Sequence, residues 1–266
     1  MPGVGRSSVK CFEEYSVLGN QYSVRQTMST TPIDRSLIIP GRFNGPPQSG
    51  NGGYTCGLVS TLVEGVAEVT LRSPPPLDVE LHAVRTSEGV EVLDGNTLVA
   101  TVREVSFEPL DMPPLPSWDE AEAASRNYLG HIRHEFPTCF TCGTERTDGL
   151  GVFPGPTAAG VVASTWIPNS SLPSDEGIVP VPIVWAALDC PGAWADARDL
   201  AENPVMLGRM TAVVHTPVAI EQRYIAVAWK VGEEGRKSFA ETALIDHKGS
   251  AVAVARQTWI AVPSIR

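Results

Sequence analysis

Two stretches decide how this chain folds: VLDGNTLVATV at residues 92–102 and LIDHKGSAVAVA at residues 244–255. Each reads as an apolar run, a short polar turn carrying a glycine, and a second apolar run, which is a β-hairpin signature. The turns are Asp94-Gly95-Asn96 and Asp246-His247-Lys248-Gly249. Their separation far exceeds the ~20–50-residue period of a solenoid, so the echo predicts a duplicated domain.

Working outward, each half holds one buried-helix candidate and several strands. In the first half, GGYTCGLVSTLVEG (52–65) is small and apolar almost all round, as a buried helix is. Ala67, Val69 and Leu71 then alternate with Glu68, Thr70 and Arg72, and Leu77, Val79, Leu81 and Ala83 alternate with Asp78, Glu80 and His82. Both are period-two patterns of half-buried strands. In the second half, GVVASTWI (160–167) is a strand and VPIVWAALDCPGAWADA (181–197) a buried helix that Pro191 must kink or interrupt. Strands follow at RMTAVVH, RYIAVAWKV, SFAETALI and AVAVARQTWIAV. Between the halves, EPLDMPPLP (108–116) reads as a stiff linker, and Ser117-Trp118-Asp119-Glu120 is a capping box that opens a short helix over about 118–129. One buried helix wrapped by an antiparallel sheet, twice over, is an α+β layer architecture.

Composition agrees. The 24 glycines and 23 prolines make up about 18% of the 266 residues, against a usual ~12%, too many breakers for a mostly helical protein. The apolar runs fall short of the ~18 residues of a membrane helix, so no membrane span is expected. A net charge of −10 argues against a nucleic-acid partner. The chain opens with no basic-then-apolar leader. Five cysteines (Cys11, Cys56, Cys139, Cys142, Cys190) form no disulfide framework, and a reducing cytoplasm is the expected compartment. Residues 1–27 show no sustained period and stop just before Met28. Two readings stand: Met28 is the biological start, or the stretch is a loosely packed arm.

The order of elements resembles the hotdog fold in its double form, and in particular acyl-CoA thioesterases of the thioesterase II and phenylacetate-pathway types. The residues that carry the resemblance are FNGPPQSGNGGYTCG (43–57), RSPPPLDVELHAV (72–84), CFTCGTERTDGLGV (139–152), WAALDCPGAWA (185–195) and GRKSFAETALIDHKGSAVAVARQTWIAV (235–262). The resemblance implies two antiparallel sheets, each wrapped around a central helix and joined into one continuous sheet. It divides the chain into an N-terminal arm (1–35), a first hotdog (36–107), a linker with a short helix (108–135) and a second hotdog (136–266). It also implies acyl-thioester sites between the halves, an acyl-CoA substrate, and further association into a homo-oligomer.

Several residues are candidates for chemistry. Asn51, Gly52, Gly53 and Tyr54 open the first buried helix. A helix N-terminus offers unpaired N–H groups and partial positive charge, and glycines admit a ligand close to the backbone, so Gly52 and Gly53 could polarise a thioester carbonyl. The alternative is a Gly-rich loop with Asn51 as an ordinary N-cap. Asp189 lies in an otherwise apolar helix, where a carboxylate is costly unless paired or functional. It sits where thioesterases of this fold place a central-helix carboxylate, and would act as general base or, less favoured, as nucleophile. The first helix has Val59 near the equivalent position, and the second begins Pro180-Val181-Pro182, without glycines. One composite site per chain is therefore expected, with Gly52 and Gly53 facing Asp189.

Gln257 matches the strand glutamine that orients water in the thioesterase II pattern. The Ser or Thr of that pattern has no clear counterpart: its position falls near Leu207, with Thr211 a nearby substitute. Arg236 and Lys237 could meet coenzyme A phosphates, although solvated strand ends explain them as well. Cys139-Phe140-Thr141-Cys142 is a lone CxxC with no second pair, so no metal is expected; His131, His134 and Cys190 are the residues that could assist one. His82 and His247 read as solvated, and His215 as structural. No cofactor is required. The expected activity is hydrolysis of an acyl-CoA to free acid and CoA. The alternative is a non-catalytic acyl-CoA or fatty-acyl binding protein. Enoyl-CoA hydration ranks low, because no Gly-Asp-x-Asn-Pro-x-His motif is present.

Overall fold

A computed structural model describes residues 31–195, 200 and 204–263. Residues 1–30, which include Cys11 and Met28, lie outside it, as do Asp196 and Ala197 at the expected end of the second helix. The first half comprises β1 (Thr31–Ile38), α1 (Gly52–Ser60), β2 (Ala67–Leu71), β3 (Glu80–Thr86), β4 (Gly89–Asp94) and β5 (Thr97–Glu104). After α2 (Trp118–Arg126) come β6 (Gly155–Pro156), β7 (Val162–Trp166), α3 (Val181–Trp194), β8 (Val205–Val214), β9 (Tyr224–Glu234), β10 (Lys237–Asp246) and β11 (Ala251–Ala261).

The strands form one 11-stranded antiparallel sheet in the order β1-β3-β4-β5-β2-β8-β11-β10-β9-β7-β6. Outward from the middle the two halves mirror each other, β2-β5-β4-β3-β1 against β8-β11-β10-β9-β7, with β6 as an extra edge strand, so β2 and β8 are pseudo-equivalent neighbours. The quoted hairpins are β4–β5 and β10–β11, which occupy corresponding places. Gly95 takes φ +54° in the first turn, a left-handed conformation that costs glycine little. Only Glu68↔Thr211, Val69↔Met210 and Thr70↔Arg209 join the two halves across the central seam. This is the continuous double-hotdog sheet.

Two details differ from the sequence reading. The first strand starts at Thr31, inside the segment assigned to the arm. β3 starts at Glu80 rather than near Leu77. Asp78 takes φ +57° and accepts the Gly41 N–H on Oδ1 at 2.9 Å, so the chain turns there and Val79 is exposed.

The core sits between the sheet and α1 and α3. The two helices pack antiparallel and unusually close. A Cβ on Gly57 would lie 2.7 Å from Pro182 Cα, and one on Gly53 would lie 2.6 Å from the Trp185 carbonyl oxygen. Pro191 does not end α3, which continues to Trp194.

The opposite face of the second half is also covered. Ala121 and Ala124 of α2 pack with Val161, Ala163, Ile225 and Val227, while Phe107, Leu110, Met112 and Trp118 from the linker region lie alongside. Arg256 stacks over Phe107 at 4.9 Å and Arg223 over Trp118 at 4.8 Å. Burial on both faces explains why β9 is apolar at consecutive positions from Tyr224 to Trp229, whereas strands of the first half alternate. The capping box on α2 forms as read, with Ser117 and Glu120 bonding reciprocally, and the helix ends at Arg126 rather than near 129.

Candidate functional site

A cavity of about 350 Å³ opens at the N-terminal end of α1, between the halves. Its walls are mostly apolar, with Leu207, Trp194 and Trp259 among them, and it reaches Asn51, Gly52 and Asp189. Pockets of this size and character suit a small molecule or an acyl group.

Asp189 is 2% exposed, on the fully buried middle of α3. Its Oδ2 accepts the Gly53 N–H at 2.9 Å, while Oδ1 has no hydrogen-bond partner among the described residues. Burial pushes its pKa up to about 7, against the pull of the Gly53 N–H and the Asn51 side chain, which favour the ionised form. Its Cβ occupies the space that a Gly53 side chain would need. The expected pairing of Gly53 with Asp189 across the halves therefore exists, but in a different sense. Gly53 donates its N–H to the carboxylate rather than to a ligand, and its missing side chain lets α3 approach. Gly52, the first helical residue, is the glycine that lines the cavity, and Leu207 packs against it.

Asn51 is 1% exposed and caps α1, its Oδ1 accepting the Tyr54 N–H at 2.8 Å. Its Nδ2 donates to Thr141 Oγ1 at 3.3 Å and to Cys139 Sγ at 3.8 Å, which binds α1 to the second half. It both caps and lines the cavity.

The remaining candidates lie elsewhere. Tyr54 stacks on Phe43 with ring centroids 4.0 Å apart and is not part of the cavity wall; burial raises its pKa to about 12. Thr211 is buried in the central seam, opposite Glu68 and Arg256, and also stands off the cavity. Leu207, near which a Ser or Thr was expected, lines the cavity with an apolar surface. Arg236 and Lys237 are exposed at the β9–β10 turn, away from the cavity, as solvated strand ends are. Gln257 is 3% exposed, and its donors are committed: Nε2 donates to the Leu188 carbonyl at 2.8 Å and to the Asp189 carbonyl at 3.1 Å. Its Oε1 accepts from Thr242 at 3.2 Å and Trp259 at 3.4 Å. Gln257 thus anchors α3 beside Pro191, and the water-orienting role expected of it has no free donor to act through. Gly192 is what makes room, since a Cβ there would collide with Gln257 Oε1.

Residues that the sequence named but gave no role gather here as well. Cys139 and Cys142, in the loop before β6, meet Cys190 of α3, and all three sulfurs lie within 4.8 Å of one another. All three residues, with His134, line the same cavity as Asp189. Arg146 ties the halves together below this loop, donating to Asn44 Oδ1, to the Thr138 carbonyl and to the Arg42 carbonyl, each at 2.9 Å. The CxxC spacing flagged the first two cysteines; nothing local in the sequence brings Cys190 to them.

No family model and no curated protein matches the chain. Solved structures do. A tesB protein of Mycobacterium avium subs paratuberculosis is similar at 13% identity and a TM-score of 0.51, over 82% of this chain and 90% of that one. An acyl-CoA thioesterase II, TesB2, of Mycobacterium marinum is similar at 15% identity and a TM-score of 0.49, over 78% of this chain and 86% of that one. No helix among the described residues is long and apolar enough to cross a membrane. In fold, the chain is a double hotdog of the kind seen in the tesB protein.

Proposed function

We propose that the chain is an acyl-CoA thioesterase with one composite site between its halves. A single observation carries the reading: a carboxylate at the wall of an apolar cavity, held through one oxygen by Gly53 and with its other oxygen accepting no hydrogen bond among the described residues. Such a carboxylate is oriented yet retains a free acceptor, as a general base requires. The acyl chain occupies the apolar cavity. Asp189 Oδ1 takes a proton from water as the water oxygen bonds to the thioester carbonyl carbon. The resulting oxyanion sits against the N-terminus of α1, where Gly52 and the helix dipole supply positive potential. Collapse breaks the C–S bond, the CoA thiolate leaves with the proton returned from Asp189, and the free acid remains.

A thiol-release assay over a panel of acyl-CoA chain lengths, on the wild type and Asp189→Asn, tests the reading. Turnover by the wild type that Asp189→Asn abolishes supports it. Equal rates remove Asp189 as the base.

Binding without turnover is the second reading. It is favoured by the committed donors of Gln257 and by Leu207 standing where a hydroxyl would help position water. Saturable acyl-CoA binding without thiol release distinguishes it.

A further inference from the structure

Three sulfurs meet in one buried cluster on the cavity wall. Cys139 Sγ and Cys190 Sγ are 3.7 Å apart, and Cys142 completes the group within 4.8 Å. A tetrahedral zinc ion with Zn–S bonds near 2.3 Å sets its sulfurs about 3.8 Å apart. The cluster is therefore already close to the spacing of three zinc thiolates.

Two of the sulfurs have N–H donors beside them. His134 Nδ1 accepts the Phe136 N–H at 2.9 Å, which leaves the ring proton on Nε2. That nitrogen lies 3.3 Å from Cys142 Sγ, so it donates to the sulfur. Asn51 Nδ2 donates to Cys139 Sγ at 3.8 Å. Two of the three sulfurs thus receive N–H groups from buried or half-buried side chains, the outer-shell arrangement that supports a metal-bound ligand. Negative charge collected there would be costly without a cation.

We propose that Cys139, Cys142 and Cys190 bind a thiophilic divalent cation, zinc, with its fourth position turned to the cavity. Soft thiolates select zinc over magnesium or calcium. Three protein ligands and one open position are the coordination of zinc sites that also receive an exogenous ligand. Binding exchanges the thiol protons for the ion, with His134 and Asn51 remaining hydrogen-bonded to the sulfurs. The ion would clamp the 139–142 loop onto α3 one residue from Asp189. The site stands on its own geometry and does not depend on the hydrolytic reading.

The test is metal content. The full chain, kept reduced, is loaded with zinc, passed through gel filtration and measured by mass spectrometry of the metal. One zinc per chain is expected, falling by at least about tenfold in Cys139→Ser, Cys142→Ser and Cys190→Ser, and unchanged in Cys56→Ser, whose buried thiol is not in the cluster. Cobalt(II) loading of the wild type gives a second readout that needs no variant. Thiolate-to-cobalt charge transfer with intense tetrahedral d–d absorption is expected. Loss of zinc from the wild type on filtration, equal loss in Cys56→Ser and Cys190→Ser, a weak octahedral cobalt spectrum, or a disulfide among these cysteines in anaerobically purified protein would each overturn the proposal.

Discussion

The backbone N–H of Gly53 lies 2.9 Å from Asp189 Oδ2, so the first turn of one half's helix holds the carboxylate of the other half's helix. The bond orients the carboxylate, and the close helix approach that permits it depends on Gly53 having no side chain.

Gly53→Ala should therefore cost more than Gly52→Ala. The new Cβ at position 53 meets Asp189 and the Trp185 carbonyl, which is backbone and cannot swing aside. The Cβ at 52 meets Leu207 Cβ and Cδ2, each at 2.9 Å; the Cδ2 can swing aside but the Cβ moves only with its backbone, so the overlap is milder than the one at 53 without being free. Overpacking at 53 should cost about 1–3 kcal/mol or more, and at 52 less. Urea melts of both variants check the order; equal losses would mean that the helix contact is not the constraint.

Asp189→Asn should keep the fold, because an amide oxygen can still accept the Gly53 N–H. If Asp189 is the base, thiol release should fall by about 10²–10⁴-fold, the range for loss of general base catalysis. Acyl-CoA affinity, measured by calorimetry, should change little.

Gln257→Leu should act on stability. It leaves the Leu188 and Asp189 carbonyls and the Thr242 hydroxyl without a partner they now have. The two carbonyls lie inside α3 and keep their helical partners, so the loss falls on the buried Thr242 hydroxyl and Trp259 N–H, about 1–3 kcal/mol for each one left unpaired. A variant as stable as the wild type but slower in turnover would instead restore a water-orienting role.

Arg146→Met should loosen the junction of the halves, removing donors from Asn44, Thr138 and Arg42 at once. A loss of about 2–4 kcal/mol is expected from charged hydrogen bonds of this kind. Arg146→Lys should not rescue it, since an ammonium cannot span three acceptors as a planar guanidinium does. Thermal denaturation of the pair tests this.

His134→Gln should weaken zinc without abolishing it. Loss of an outer-shell partner lowers metal affinity by about 10–100-fold. Competition titration with a chromogenic chelator should show the drop, with one zinc still bound at saturation.

The hairpins and the buried helices were legible because period and apolarity are local properties. VLDGNTLVATV announces its turn and its alternation, and GGYTCGLVS announces burial on every side. Asp189 was legible because an acid in that company needs a reason. What the sequence hid was where hydrogen-bond donors point. Gly53 and Gln257 look free to serve a ligand, but their N–H groups are spent on Asp189 and on the carbonyls of α3. Asp78 looks like one more member of an alternating strand, yet its positive φ sets the strand's start. Cys190 joins Cys139 and Cys142 only through tertiary folding, so the sequence could name it as a helper of the CxxC but could not place it there.

The three-pair seam between β2 and β8 bears on the order of assembly in time. The β4–β5 and β10–β11 hairpins close over two to four residues, whereas the seam must bring Glu68 to Thr211. Loop-closure entropy favours the local hairpins first and the distant pairing last. Each half should thus gain its own sheet before the two meet, and the junction that unites Gly53 with Asp189 should be the final event of folding. Stopped-flow refolding followed through Trp185 and Trp194, which flank Asp189 on α3, would register that event as the slow phase.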